Sequence, residues 1–300
     1  MNQIDLLKIR ANAKINLTLD ITGRRSDGYH TLSTIMQSVS LHDHVTVALG
    51  RGTAGDIRIA CDKPRIPCDH RNLAHRAADA FFHASGIPNP GTFIDIEKRI
   101  PSQAGLGGGS SDAAAVLYAL NLMFDGPFTG ETLLQIGAAI GADVPFCLTG
   151  GTQLAEGIGD TLFSLPAMPP IPIVIVKPPF SSSTAEAYYA ADSVSLCHPS
   201  AQTAAEALRN GSLSALAASL GNSFESVVAP EEIAALKRRF CESGAIGSGM
   251  SGSGTAVFGL FASPAAAEMC RGAMAEQYRD AFLAFPSHHG VEAESLPQIL

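Results

Sequence analysis

Pro101-Ser102-Gln103-Ala104-Gly105-Leu106-Gly107-Gly108-Gly109-Ser110-Ser111-Asp112 leads directly into the helix-forming run Ala113 to Asn121. Between Gly105 and Ser111 stand four glycines and two serines. Backbone that lacks Cβ atoms can approach an anion closely. A helix start adds unpaired N–H groups and a partial positive charge. The same composition suits a flexible linker or a helix cap. A strand read over Thr92 to Ile100 on one side, and the helix on the other, favour a phosphate cradle. The loop has no lysine and no Gly-x-x-x-x-Gly-Lys-Ser/Thr, so it is not a Walker A loop, and Ser110 stands where the third glycine of a dinucleotide pattern would fall.

The rest of the chain sets bounds. Its 300 residues allow one large or two modest domains. Hydrophobic residues at 46% and charged residues at 16% describe an ordinary globular composition. A net charge of −8 without a basic run disfavours nucleic acid as a partner. The six cysteines include no Cys-x-x-Cys, so neither a zinc site nor a disulfide framework is indicated, and a reducing cytoplasm is expected. The apolar run Ile171 to Val176 is too short to cross a bilayer.

Residues 9 to 21 alternate apolar and polar, the period of a strand with one buried face, which puts Lys14 and Asn16 on the same side. A turn over Gly23 to Gly28 leads to a second extended stretch, Thr31 to Leu49. Helices are read from the cap Asn72 to Ser85 and over Gly130 to Ile140, the latter closed by Gly141. Extended segments follow at Gly151 to Ala155 and Ile171 to Lys177. The proline-rich patch from Pro166 to Pro172 divides the chain into 1–165 and 166–300. Further helices are expected at Thr184 to Asp192, Ser200 to Leu220, Pro230 to Ser243 and after Ser263-Pro264. Strands are expected at Ala245 to Gly247, Thr255 to Phe261 and Ala281 to Phe285; beyond Ser287 no pattern is legible.

Several residues have plain structural readings. Lys14 reads as a solvated strand lysine. Asp143, in Gly141-Ala142-Asp143-Val144-Pro145-Phe146, reads as a helix cap. Asp112 reads as a first-turn acid at the helix start. Gly23 to His30 reads as a polar hairpin turn, Tyr188 as a core residue, and Asn222 as a polar link between helices. Gly247-Ser248-Gly249-Met250-Ser251-Gly252-Ser253-Gly254 contains Gly-x-Gly-x-x-Gly, but the strand after it disfavours a dinucleotide oxidoreductase.

The loop wording resembles the nucleotide loop of the GHMP kinases, and within them the diphosphocytidyl-methylerythritol kinases. Ala13 to Leu17, Gly141 to Phe146 and Gly247 to Gly254 resemble further motifs of that family, in the expected order. Gly23-Arg24-Arg25-Ser26-Asp27-Gly28-Tyr29-His30 resembles the segment that marks the diphosphocytidyl branch. The resemblance implies an α+β GHMP kinase fold, with a ribosomal-S5-like N-terminal domain and a ferredoxin-like C-terminal domain. It implies ATP-dependent phosphorylation of a tertiary hydroxyl on a cytidine-diphosphate-linked methylerythritol, with Asp143 as base and Lys14 offsetting charge. ATP would be held by Pro101, Gly105, Leu106, Gly107, Gly108, Gly109, Ser110 and Ser111. Magnesium is implied, with Ser111 as the candidate ligand. Asn16, Tyr29, His30, Thr184, Tyr188, Gly249, Ser251 and Gly252 would contact the substrate, with Tyr29 and Tyr188 on the cytosine faces. A monomer or weak homodimer is expected. Rivals are a GHMP kinase for homoserine or mevalonate, and a catalytically silent, ligand-binding relative.

Overall fold

The computed structural model describes residues 5–294. The first half runs β1 (Leu6–Arg24), β2 (His30–Leu49), β3 (Ile57–Cys61), α1 (Leu73–Ser85), β4 (Thr92–Glu97), α2 (Gly108–Met123), α3 (Gly130–Ile140), α4 (Val144–Thr149), β5 (Thr152–Glu156) and β6 (Thr161–Ser164). The second half runs β7 (Ile173–Lys177), α5 (Thr184–Ala191), α6 (Ala201–Arg209), α7 (Leu213–Ser219), β8 (Gly221–Asn222), α8 (Pro230–Glu242), β9 (Gly247–Met250), β10 (Val257–Leu260), α9 (Pro264–Ala275), β11 (Asp280–Ala284) and β12 (Val291–Ala293).

β1 and β2 form a long antiparallel hairpin, flanked by β4 and β3 on one side and by β12 on the other. The expectation of one buried face is corrected: from Ala11 to Leu19 every residue of β1 is buried. Its apolar side feeds the core, and its polar side is covered by the glycine loop and the β9–β10 turn. Lys14 N–H donates to the Leu106 carbonyl (3.0 Å), and Asn16 N–H to Ser251 Oγ (3.1 Å). α2 is buried from Ser111 through Leu117, and its alanines let it lie close to α1 and β1.

The second sheet has the order β11-β7-β10-β9, all neighbours antiparallel. With α8 and α9 packed on it, this is the ferredoxin-like arrangement that the resemblance implies. The division at 165/166 is crossed by the chain itself. β12, in the stretch without legible pattern, returns to pair with β1 (Ala11 opposite Val291), and β8 lies parallel to β1. Residues 295–300 lie outside the described residues.

Four other expectations change. The helix read from Ala113 begins at Gly108, because Gly107, in the left-handed region (φ 71°), serves as its N-cap. The helix read over Ser200 to Leu220 is two, broken at Gly211 (φ 63°). Gly141 closes α3 in an extended conformation (φ −174°), so its glycine freedom is unused. The strand placed at Ala245 to Gly247 lies later, at Gly247–Met250, so half of the glycine cluster is strand.

Candidate active site

The glycine loop, the middle of β1 and the β9–β10 turn converge on one cleft of about 1170 Å³ between the two halves. Lys14, Asn16, Asp143 and loop residues Pro101 and Gly105 to Ser110 all line it. α2 starts without a side-chain cap. The N–H groups of Gly108, Gly109 and Ser110 have no hydrogen-bond partner among the described residues. Open amides at a helix N-terminus beside a cleft make an anion seat.

Glycine is required where loop meets turn. A Cβ on Gly105 (φ 74°) would lie 2.0 Å from the Ser251 carbonyl oxygen, and one on Gly252 2.9 Å from the Gly105 Cα. A Cβ on Gly107 would meet the Lys14 stem at 3.0 Å. Ser251 Oγ donates to the Gly105 carbonyl (2.8 Å), and Asn222 Nδ2 donates to the Met250 and Gly252 carbonyls (both 2.8 Å). Asn222 thus holds the second glycine turn rather than merely joining helices.

Lys14 is 4% exposed, not a solvated strand lysine. Its Nζ donates to Asn16 Oδ1 (2.8 Å) and lies 3.3 Å from Asp143 Oδ2. Asn16 Nδ2 donates to Thr34 Oγ1 (2.8 Å). Asp143 occupies the cap position of α4 but its side chain makes no capping bond. The carboxylate is therefore left for Lys14 and the cleft.

Beneath the loop, Lys98 Nζ bonds Asp112 Oδ2 (2.6 Å) and Asp43, whose other oxygen accepts from the Ile100 amide (2.8 Å). Two buried carboxylates share one ammonium, so one of them is driven toward its neutral acid form. Burial pushes the Asp112 carboxyl up to about 8; Lys98 pulls it down, and Asp43 adds to the rise. Burial pulls Lys98 down, but Asp112 and Asp43 outweigh it and hold the ammonium above its ordinary value. Asp112 Oδ1 has no hydrogen-bond partner among the described residues. Sequence reasoning missed this cluster. Since α2 begins at Gly108, Asp112 lies beyond its first turn and is not the helix-start acid expected.

Three assignments are corrected. Ser111 is fully buried and its Oγ donates to the Asn12 carbonyl (2.6 Å), so it neither lines the cleft nor offers a free hydroxyl to magnesium or ATP. The early helix start turns it toward the sheet. Gly249 sits in β9 with its α-carbon against Phe258, away from the cleft. Ser251 is fully buried and joins loop to turn instead of facing a ligand.

The far end of the cleft is aromatic. Tyr29 is 65% exposed at its edge. His30 stacks on Tyr188 (centroids 4.7 Å, 16° between planes), and Tyr188 packs edge-on against Phe224. Burial, then the charge of Asp143, pushes the Tyr188 phenol up to about 12, so it stays neutral. Thr184 Oγ1 and Ser253 Oγ lie 3.0 Å apart across the cleft wall, and Gly252 lines it.

Comparison with known proteins agrees with this geometry. The GHMP kinases N terminal domain matches residues 72–151, and the GHMP kinases C terminal domain residues 204–280. The 4-diphosphocytidyl-2-C-methyl-D-erythritol kinase of Clostridium botulinum (strain Alaska E43 / Type E3) is 41% identical over 280 residues, covering 92% of this chain and 99% of the relative. The chain belongs to the 4-diphosphocytidyl-2-C-methyl-D-erythritol kinase family of GHMP kinases. The family member from Desulfitobacterium hafniense (strain Y51) is 46% identical over 263 residues, covering 86% of this chain and 87% of the relative. A crystal structure of 4-(cytidine 5'-diphospho)-2C-methyl-D-erythritol kinase aligns with a TM-score of 0.78 at 34% identity, covering 94% of this chain and 99% of that one. A homoserine kinase from Cytophaga hutchinsonii shares the fold (TM-score 0.75) at 20% identity, covering 98% of this chain and 99% of that one. No helix among the described residues is long and apolar enough to cross a membrane.

Proposed function

We propose that this chain transfers the γ-phosphoryl group of ATP to the C2 hydroxyl of 4-diphosphocytidyl-2-C-methyl-D-erythritol, a step of the non-mevalonate route to isoprenoid precursors. The observation that carries the reading is the Lys14–Asp143 pair, 3.3 Å apart, in the same cleft as the open amides of the glycine loop. Asp143 accepts the proton of the attacking hydroxyl, and Asn16 orients the polyol. Lys14 offsets charge on the migrating group, and the amides of Gly108 to Ser110 hold the nucleotide phosphates. Pro101, Gly105, Leu106 and Gly107 shape the seat.

The base of the substrate rests at the aromatic end, against Tyr29 and the His30–Tyr188 stack, with Thr184 and Gly252 on the wall. Stacking a base on an aromatic face contributes about 1–3 kcal/mol. The residues do not form a magnesium site. The Ser111 hydroxyl is spent on Asn12, Asp112 is bound to Lys98, and no cluster of three or more His, Cys, Asp or Glu side chains able to hold an ion occurs among the described residues. Magnesium would then be brought by the nucleotide rather than held by side chains of this chain. Six unpaired cysteines fit a cytoplasmic setting, and a monomer or weak homodimer suffices, since one chain supplies the whole cleft.

A screen of alcohol acceptors with labelled ATP tests the reading. Label should pass to the cytidine-diphosphate-linked methylerythritol and not to homoserine or mevalonate; transfer to either of those instead would overturn it.

A further inference from the structure

The imidazole of His30 is held from two directions. Tyr188 stacks on its face and fixes the plane of the ring. Asp192, at the end of α5 one helical turn after Tyr188, fixes its rotation: Oδ1 lies 2.7 Å from Nε2. The other oxygen of Asp192 accepts from Arg24 Nη1 (3.0 Å). His30 and Arg24 face each other across the turn of the β1–β2 hairpin, whereas Asp192 comes from the second half of the chain. The contact therefore spans the cleft. Nδ1 of His30 has no hydrogen-bond partner among the described residues, and the ring lines the cleft.

We propose that Asp192 is a positioning residue that keeps the His30 proton on Nε2, leaving Nδ1 as an acceptor for the exocyclic amino group of a cytosine base. The inference rests on the base-binding role of this end of the cleft given under the proposed function. A carboxylate only accepts hydrogen bonds, so the nitrogen facing it must carry the hydrogen. The His30 hydrogen bond, then the charge of Arg24, holds the Asp192 carboxyl below its ordinary value, so it stays ionised. In the neutral ring Nδ1 then has a free lone pair. Cytosine offers an amino donor at the position where uracil has a carbonyl acceptor, so an accepting Nδ1 selects the cytidine nucleotide.

Asp192→Asn tests this with little change in shape. Arg24 can only donate, so it retains the amide oxygen. The amide NH₂ then turns toward His30 and donates to Nε2, which moves the ring hydrogen to Nδ1. Nitrogen-15 spectra of the full chain should show Nε2–H and a bare Nδ1 in the wild type, with Nδ1 shifted on adding cytidine 5'-diphosphate. Asp192→Asn should show the opposite tautomer. Its preference for cytidine over uridine 5'-diphosphate should collapse by about tenfold or more, while ATP affinity and melting temperature hold. A hydrogen on Nδ1 in the neutral wild-type ring, or an unchanged preference in Asp192→Asn, overturns the proposal. A wild-type ring protonated on Nε2 but unmoved by cytidine 5'-diphosphate, with the variant tautomer still exchanged, instead refutes base binding at this end of the cleft.

Discussion

Gly105→Ala probes how closely the nucleotide loop is pressed against the second glycine turn. The new Cβ would begin 2.0 Å from the Ser251 carbonyl oxygen and 2.7 Å from its carbon, whereas real Cβ atoms keep at least 3.0 Å. Both obstacles are backbone, so loop and turn must separate by about 1 Å, the distance from 2.0 to 3.0 Å. The left-handed φ of 74° adds about 1–2 kcal/mol for an L-residue. The Ser251 hydroxyl would also lose its bond to the Gly105 carbonyl, for about 1 kcal/mol more. Stability should fall by about 2–3 kcal/mol. A displacement near 1 Å at a phosphoryl-transfer seat costs roughly 10²-fold in rate. The control is Gly126→Ala, with a similar φ of 70° and nothing within 4 Å of its Cβ. That variant should lose about 1–2 kcal/mol by thermal melting and keep its steady-state kinetics. Gly105→Ala with the kinetics of Gly126→Ala would refute the reasoning, because strain alone would then account for both.

Tyr29→Ala should raise the Michaelis constant for the cytidine-linked substrate about tenfold or more and leave that for ATP nearly unchanged; equal effects would remove the stacking assignment. Ser111→Ala should lose about 1–2 kcal/mol in denaturant melts but retain turnover and magnesium dependence, since its hydroxyl serves the Asn12 carbonyl. Asp112 titrates near 8 in the fold against 3.8 in the open chain, so between those values the folded protein binds the extra proton. Its contribution therefore weakens the fold as pH rises through that window. Melting curves from pH 4 to 8 should show the wild type losing stability relative to Asp112→Asn; parallel curves would contradict the shift.

Much of the site was legible because its chemistry lies in contiguous words. The alternation over residues 9 to 21 put Lys14 and Asn16 on one side, and their 2.8 Å hydrogen bond bears this out. The glycine loop announced a helix start, although the alanine run drew the expected start five residues late. Propensity placed it at Ala113, while Gly107 had already turned the chain at φ 71°. Ser111 followed that error, since its side chain turns toward the sheet only if the helix begins at Gly108. Lys98, Asp43 and Asp192 were not legible. Each is one charged residue among others, and what sets it apart is a partner 14 to 168 residues away. β12 was hidden for a similar reason, as a three-residue strand that is defined by its pairing with β1.

The central claim is that one cleft sets a carboxylate base and an ammonium at the phosphate seat, and Asp143→Asn tests it most directly. The Asp143 side chain is 36% exposed and the Asn16 carbonyl still holds Lys14, so the variant should fold and bind ATP. Rapid-quench measurement of γ-phosphoryl transfer to 4-diphosphocytidyl-2-C-methyl-D-erythritol should show a single-turnover rate lower by roughly 10²–10⁴-fold with unchanged ATP affinity. A rate within a few-fold of wild type would contradict the account.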